Sequence, residues 1–440
     1  MSDLPESPLA AGDRHLSVDE ARAAIAAVLR PISGQESVPL LQALGRVLAE
    51  DLVSPIDVPA HDNSAMDGYA FDGAALQPGT ALRLRVAGTV YAGAPGGRTC
   101  GAGECLRIMT GAVMPAGLDT VVPHELCRAV GSEGSEGSEG SEGSEGGEVV
   151  IEPGALRAGE NRRRRGEDLS RGTPALRAGR LLTPADLGLV ASLGLPQVAV
   201  RRRLRVALFS TGDELRAPGQ ALDPGCVYDS NRTGLAAALQ RLGMTVLDLG
   251  QVADDPAALE ATLRQAMRDA DVVLTSGGVS MGDADHTRAV LARLGEVAFW
   301  KVAMRPGRPF AFGPLQRPDG AAPIWLFALP GNPVAALVTF YVFAREALLQ
   351  LAGAAPRPLP ALQARCTQAI RKRPGRTEFQ RAIVEPAADG PGWQVRLTGS
   401  QGAGVLRSMS EANALLVLRH DQGSVAAGEP VEVWLFDGLA

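Results

Sequence analysis

The chain has 440 residues, enough for about three domains, with 45% hydrophobic and 21% charged residues, the balance of an ordinary soluble globular protein. A net charge of −6, part of it carried by one acidic repeat, excludes a strongly basic nucleic-acid binder, and 4% aromatics leave few rings for stacking on bases. The first residues lack the basic start and apolar core of a signal peptide. The longest apolar stretch, Val334 to Ala344, is too short for a membrane span and is closed by Arg345 and Glu346. Cys100, Cys105, Cys127, Cys226 and Cys366 form no CxxC pair and have no histidine at zinc spacing. Free thiols in a reducing cytoplasm are expected.

The segment from Ser17 to Leu48 reads as helix, first under a cap at Ser17 with Glu20 three residues on, then as a second short helix over VPLLQALGRVLAE. From Val53 the pattern changes to short alternating runs (LRLRVAGTV, CLRIMT, DTVVPHE, EVVIEP) broken by Gly and Pro, a β-rich segment of hairpins and loops. Inside it, five GSE repeats without an apolar residue lie between two runs that look like paired strands. The tract is expected to be a disordered insertion with no catalytic role. Helix resumes at Pro184, with Thr183 as its cap.

From Leu204, strand-like runs and amphipathic helices alternate (LRVALFS, NRTGLAAALQRLG, TVLDLGQV, DPAALEATLRQAMRDA, DVVLTSGG, DHTRAVLARLG). A hairpin (VAFWKVAM, RPFAFG), a strand (IWLFALPG) and a long helix from Pro333 follow. That alternation calls for a parallel sheet covered on both faces. Short strands from about Pro356 read as a small β-barrel or sandwich. The fold class is thus a multidomain α/β plus β protein. A discontinuous helical domain (16–52 and 172–203) carries an inserted β-rich domain (53–171, with the GSE tract at 131–147). An α/β domain (204–354) and a C-terminal β domain (355–440) follow.

Ligands of open parallel sheets bind beyond the C-terminal strand ends. Here those ends carry Ser210-Thr211-Gly212-Asp213-Glu214, Thr275-Ser276-Gly277-Gly278-Val279-Ser280-Met281-Gly282-Asp283 and Pro330-Gly331-Asn332-Pro333. Glycine lets backbone N–H groups approach phosphate, and the helix that follows adds its dipole. None is a dinucleotide or Walker loop. Asp213, Glu214, Asp229, Asp254, Asp255, Asp283 and Asp285 gather at the same edge, a carboxylate set suited to Mg²⁺ bridging to phosphate, although no spacing fixes which are ligands. The 43 basic residues include only two lysines; one, Lys301, interrupts an apolar run and is followed by Arg305 and Arg308, a cluster fit for a small oxyanion. In the β-rich segment, DNSAMDGYA and RIMTGA concentrate polar groups. Arg162 to Arg165 read on composition as a solvated loop.

Together DNSAMDGYA, RIMTGA, NRRRRGED, LFSTGDEL, YDSNR, LTSGGVSMGDADHT, FWKVAMRPGRPFAFG, LPGNPV and PGRTEFQR resemble the molybdopterin molybdenumtransferase (MoeA-type) family, to which the gephyrin E domain is related. The resemblance runs from about Ser17 to the C-terminus. It implies a molybdopterin-binding-type α/β domain, a cytoplasmic homodimer, and insertion of molybdate into adenylated molybdopterin with release of AMP and a divalent cation such as Mg²⁺. Contact with other molybdenum-cofactor biosynthesis proteins is implied as well, and neither nucleic acid nor membrane. The family's acidic and hydroxyl positions fall on Asp67, Thr110, Asp168, Glu214, Asp254 and Asp285, and its basic ones on Lys301, Arg305 and Arg381. The expected catalytic set is therefore Asp67, Thr110, Glu214, Asp254, Asp285 and Lys301, with Glu214, Asp283 and Asp285 as metal ligands. Substrate binding falls to Thr211, Gly212, Asp229, Asn231, Ser276, Gly277, Gly278, Ser280, Gly331, Asn332, Arg305, Arg308, Arg381 and Asp168. Arg305 and Arg308 stand where lysine is usual, and Ala335 and Ala403 where serine is common. The rival readings are a molybdopterin adenylyltransferase or nucleotide-pyrophosphate hydrolase, which leave the β-rich insertion and C-terminal domain unexplained, and a non-catalytic dimeric scaffold.

Overall fold

The computed structural model describes residues 14–94, 97–130, 145–278, 284–388 and 390–436. The chain divides into two compact units, one of Met1–Glu50, Gly179–Thr183 and Gln197–Ala440, the other of Asp51–Ala178 and Pro184–Pro196.

The first unit is built on a seven-stranded sheet. Its strands are β1 (Arg14–Leu16), β2 (Arg205–Thr211), β3 (Thr245–Val252), β4 (Val272–Ser276), β5 (Ala298–Val302), β6 (Pro309–Leu315) and β7 (Ile324–Leu329), in the spatial order β1-β5-β6-β7-β4-β2-β3. The four strands from β7 to β3 are parallel, as the alternation predicts. The sheet is mixed rather than wholly parallel, because the β5–β6 hairpin runs antiparallel and β1 adds beside β5. Continuous apolar runs in β2 and β4 bury both faces. On one face Val206, Leu208 and Leu274 pack with α2 (Ser230–Arg241) and α5 (Pro333–Leu351), and α1 (Val18–Val28) joins the same core. On the other, Phe209, Val273 and Leu326 pack with α3 (Pro256–Asp269) and α4 (Ala284–Leu294). Helix α5 contains a π-helical segment at Phe340–Ala344. By length and hydropathy it alone among the described residues would cross a membrane, but 72% of it is buried in the protein, as a core helix.

Helix α1 has the expected capping box: Ser17 Oγ accepts from Glu20 N, and Glu20 reaches back to Ser17 N. The predicted second helix does not form. Gln35–Pro39 is a strand pairing antiparallel with Gln197–Arg201, followed by a 3₁₀ turn at Leu40–Gln42. Proline at 39 supplies no N–H, Gly45 has φ +68°, and Leu41 stays 90% exposed, so the apolar period there finds no surface to cover. The C-terminal strands Ala361–Cys366, Thr377–Pro386, Trp393–Leu397, Ala414–Leu418 and Pro430–Leu435 close into a five-stranded barrel, to which Met304–Arg305 adds an edge pairing.

The second unit holds a six-stranded sheet with Tyr69, Phe71, Val86, Cys105 and Val122 in its core. The strands flanking the GSE tract, Cys127–Val130 and Glu148–Ile151, pair antiparallel as expected. Residues 131–144 of the tract lie outside the described residues. All five cysteines are free, and burial pushes the Cys105 thiol up to about 12. Val18–Val28 belongs to the first unit and Pro184–Ser192 to the second.

Candidate active site

At the C-terminal edge of the first unit's sheet lies a cavity of about 260 Å³. Its wall is made of Thr211, Gly212 and Glu214 after β2, Asp254, Asp255 and Pro256 leading into α3, Gly277 and Gly278 after β4, His286 and Thr287 at the start of α4, and Gly331 after β7. All three glycine turns thus converge on one space, as expected for the edge. The glycines are required by shape. Gly277 and Gly278 have φ of +95° and +70°, and a Cβ on Gly277 would stand 2.7 Å from both the carbonyl oxygen and Oγ1 of Thr211.

Several polar residues at this edge hold the turns in place. Asn231 Nδ2 donates to Ser276 Oγ (2.7 Å) and to the Gly331 carbonyl (2.6 Å), tying two turns together. Gln251 Nε2 donates to the Gly212 carbonyl at 2.7 Å. Asp229 is buried, caps α2 through Arg232 N, accepts from Ser210 Oγ and pairs with Arg232, which also reaches Asp248. These contacts direct Asp229 and Asn231 at the protein itself, and neither lines the cavity. Asn332 starts α5 without a side-chain cap bond.

The carboxylates lining the cavity are Glu214, Asp254 and Asp255, the last of which caps α3 by accepting from Ala258 N at 2.8 Å. No group of three potential metal ligands occurs among the described residues. Ser280 and Asp283 lie outside those residues, and Asp285 is described only as backbone at the start of α4. His286, Thr287 and Thr275 were not among the expected site residues; only their place beside the SGG turn could have singled them out.

Lys301 is level with Pro309 on the neighbouring strand. Trp300 and Val302 face the α2/α5 core, so Lys301 lies on the opposite face, the one that carries Thr211 and Thr275. Three strand spacings separate β5 from β4, about 14 Å, which puts Lys301 on the same edge but outside the cavity wall. Arg305 and Arg308 are exposed nearby in sequence. Arg381 is only 1% exposed: Nε donates to Ser408 Oγ (3.0 Å) and Nη2 to the Gly402 carbonyl (3.1 Å). Burial, reinforced by the charge of Arg305, pushes its pKa down to about 10. Arg381 therefore grips the 400–402 loop. The next carbonyl, Ala403, accepts from Val334 N at the start of α5, and Ala335 is buried in that helix.

The second unit draws three sequence-distant motifs together. Asn63–Ser64 pairs with Arg162–Arg163, and Gly111 N donates to the Ser64 carbonyl. Asp67 Oδ1 accepts from both the N–H (2.6 Å) and the hydroxyl (2.7 Å) of Thr110, and these bonds hold its carboxyl below the usual range. The arginine run is more ordered than a solvated loop. Arg162 pairs with Asp62, and Arg165 pairs with Asp57 while its N–H donates to Asp62. Asp168 is exposed, with its N–H bonded to the Val58 carbonyl.

Three family profiles match the chain: the MoeA N-terminal region (domains I and II) over residues 16–194, a probable molybdopterin binding domain over 207–350, and the MoeA C-terminal region (domain IV) over 363–436. The molybdopterin molybdenumtransferase of Haemophilus influenzae is 39% identical, over 96% of this chain and 99% of its own. Molybdopterin molybdenumtransferase 2 of Mycobacterium tuberculosis is 37% identical over 95% and 99%. The crystal structure of a molybdopterin biosynthesis MoeA protein from Pyrococcus horikoshii superposes with a TM-score of 0.72 at 30% identity, over 97% of this chain and all of that one. With matches that run nearly end to end and meet the glycine turns, the Asp67–Thr110 pair and the barrel alike, the chain belongs to the MoeA family of molybdopterin molybdenumtransferases.

Proposed function

We propose that the protein inserts molybdate into adenylated molybdopterin and releases AMP. The observation that carries this reading is the convergence of three glycine turns and the carboxylates Glu214 and Asp254 on one cavity, in a chain similar throughout to molybdopterin molybdenumtransferases. An adenylated pterin presents a phosphoanhydride. The backbone N–H of Gly278 offers it a donor and the starts of α3 and α4 add favourable dipoles, while the Gly277 N–H is held by the Leu329 carbonyl and fixes the turn to the strand end. Molybdate is a small dianion, for which Lys301, Arg305 and Arg308 supply cations from the same sheet edge.

The donor set fits a magnesium ion, which is commonly held by one or two carboxylates together with substrate phosphates; Glu214 and Asp254 are the residues that would hold it. When bound there, such an ion would supply charge neutralisation for the phosphates and so favour departure of AMP. Glu214 and Asp254 keep those charges at the cavity wall, while Asn231 and Gln251 hold the turns that carry the N–H donors. The five free cysteines support a reducing cytoplasmic setting, and the family resemblance supports a homodimer that meets other molybdenum-cofactor biosynthesis proteins.

The reading is tested by mass-spectrometric detection of AMP from adenylated molybdopterin, with and without molybdate. AMP that depends on molybdate is expected; AMP made equally without it would mark a plain pyrophosphate hydrolase. Glu214→Gln should raise the Mg²⁺ concentration required for half-maximal release, and an unchanged requirement would remove Glu214 from the metal site.

A further inference from the structure

Beneath the Gly277–Gly278 turn, a second and much smaller pocket of about 20 Å³ lies between the sheet and helices α3 and α4. Its walls are mostly apolar, with Phe209, Leu263 and Leu326 among them, and the polar side chains that reach it are Thr211, Thr275 and Thr287. Thr275 is only 6% exposed. Among the described residues its Oγ1 has no hydrogen-bond partner, and neither has the buried Oγ1 of Thr211.

We propose that this pocket is a binding site for one ordered water molecule that bridges the hydroxyls of Thr211 and Thr275. Thr275 is level with Phe209 on the neighbouring strand, so Thr211, two residues further, is its diagonal neighbour on the same face. Two hydroxyls left unpaired in an apolar setting would each destabilise the fold, whereas a water between them satisfies both. The volume suits a single water, and a buried water needs two to four polar partners, which the threonines provide; a cavity lined by apolar groups alone would stay dry. The water would link β2 to β4 under the turn. A Cβ on Gly278 would come within 3.3 Å of Thr211 Oγ1 and 3.8 Å of Thr287 Oγ1, so the glycines lie directly over these hydroxyls. The site sets the floor of the larger cavity whatever ligand that cavity takes.

Thr275→Val replaces the hydroxyl by a methyl of the same shape. With the water in place, the melting temperature should fall by roughly 2–4 °C, Thr211→Val should act likewise, and the double variant should fall little further because both lose the same bridge. If the hydroxyls are dry, valine removes an unpaired polar group. The melting temperature then stays level or rises, the two changes add, and the proposal fails. A high-resolution crystal structure of the ligand-free protein gives a readout independent of stability. A density peak within hydrogen-bond distance of both Oγ1 atoms, kept in Thr275→Ser, is expected; an empty pocket would overturn the site.

Discussion

Gly277→Ala isolates the geometric requirement of the glycine turn. Alanine at φ +95° meets the left-handed penalty of about 1–2 kcal/mol. Its Cβ would also stand 2.7 Å from the Thr211 carbonyl oxygen, which is backbone and part of β2. Relieving that overlap shifts one strand end against another, at a further cost of about 1–3 kcal/mol by analogy with overpacked cores. The sum, about 2–5 kcal/mol, corresponds to a melting temperature lower by roughly 5–15 °C. Gly331→Ala is the matched control, since among the described residues its Cβ would meet only Gly277 Cα, at 3.8 Å, and its φ is not left-handed. That variant should unfold like the parent protein yet bind adenylated molybdopterin more weakly, because the methyl stands at the cavity wall. Thermal unfolding and ligand titration of both variants separate the two effects. A Gly277→Ala protein as stable as the parent, or a Gly331→Ala protein destabilised to the same degree, would refute the reasoning.

Other substitutions probe the charged groups. Lys301→Ala should raise the molybdate concentration for half-maximal AMP release tenfold to a hundredfold, the loss of one charge-assisted contact of about 1.5–3 kcal/mol, while pterin nucleotide binding changes little; the opposite pattern would make Lys301 a phosphate clamp. Burial pushes the Asp271 carboxyl up, but hydrogen bonds from Arg202 (2.7 and 2.8 Å) and Arg205 N outweigh it and leave the pKa below 3.8. Its stabilising contribution is therefore complete above about pH 4 and is lost as pH falls through the lowered value. Asp271→Asn should cost about 1.5–3 kcal/mol at neutral pH and remove that acid-side loss, which urea titrations at several pH values would detect. If the active site of the proposed homodimer draws on both chains, mixing Asp67→Ala and Asp285→Ala chains should restore some activity. No recovery in verified heterodimers would place each site within one chain.

The strand-helix order of the first unit was legible because β2, β4 and β7 are continuous apolar runs, each ending in a polar glycine turn. Strand β1 was not, since three residues carry no period and its place depends on pairing with β5 almost three hundred positions away. VPLLQALGRVLAE was misread because a helical period predicts a helix only where another surface covers it, and Leu41 is left exposed. The same division holds at the site. Gly212, Gly277 and Gly331 announce themselves by composition. That Asp229 is committed to Ser210 and Arg232, and Arg381 to the 400–402 loop, depends on partners that only the tertiary fold supplies. The Asp67–Thr110 bond joins residues 43 positions apart through the antiparallel pairing of Gly68–Phe71 with Glu104–Ile108. Spacing alone could not reveal it.

Molybdate and adenylated molybdopterin are expected to react with each other on this protein. A single-turnover experiment measures it most directly: stoichiometric enzyme, adenylated molybdopterin, Mg²⁺ and molybdate are mixed, and AMP and pterin-bound molybdenum are quantified in the same sample. The two products are expected to rise together, mole for mole, and both to be lost when molybdate is omitted. AMP released without molybdenum entering the pterin, or no AMP at all from the folded protein, would contradict it.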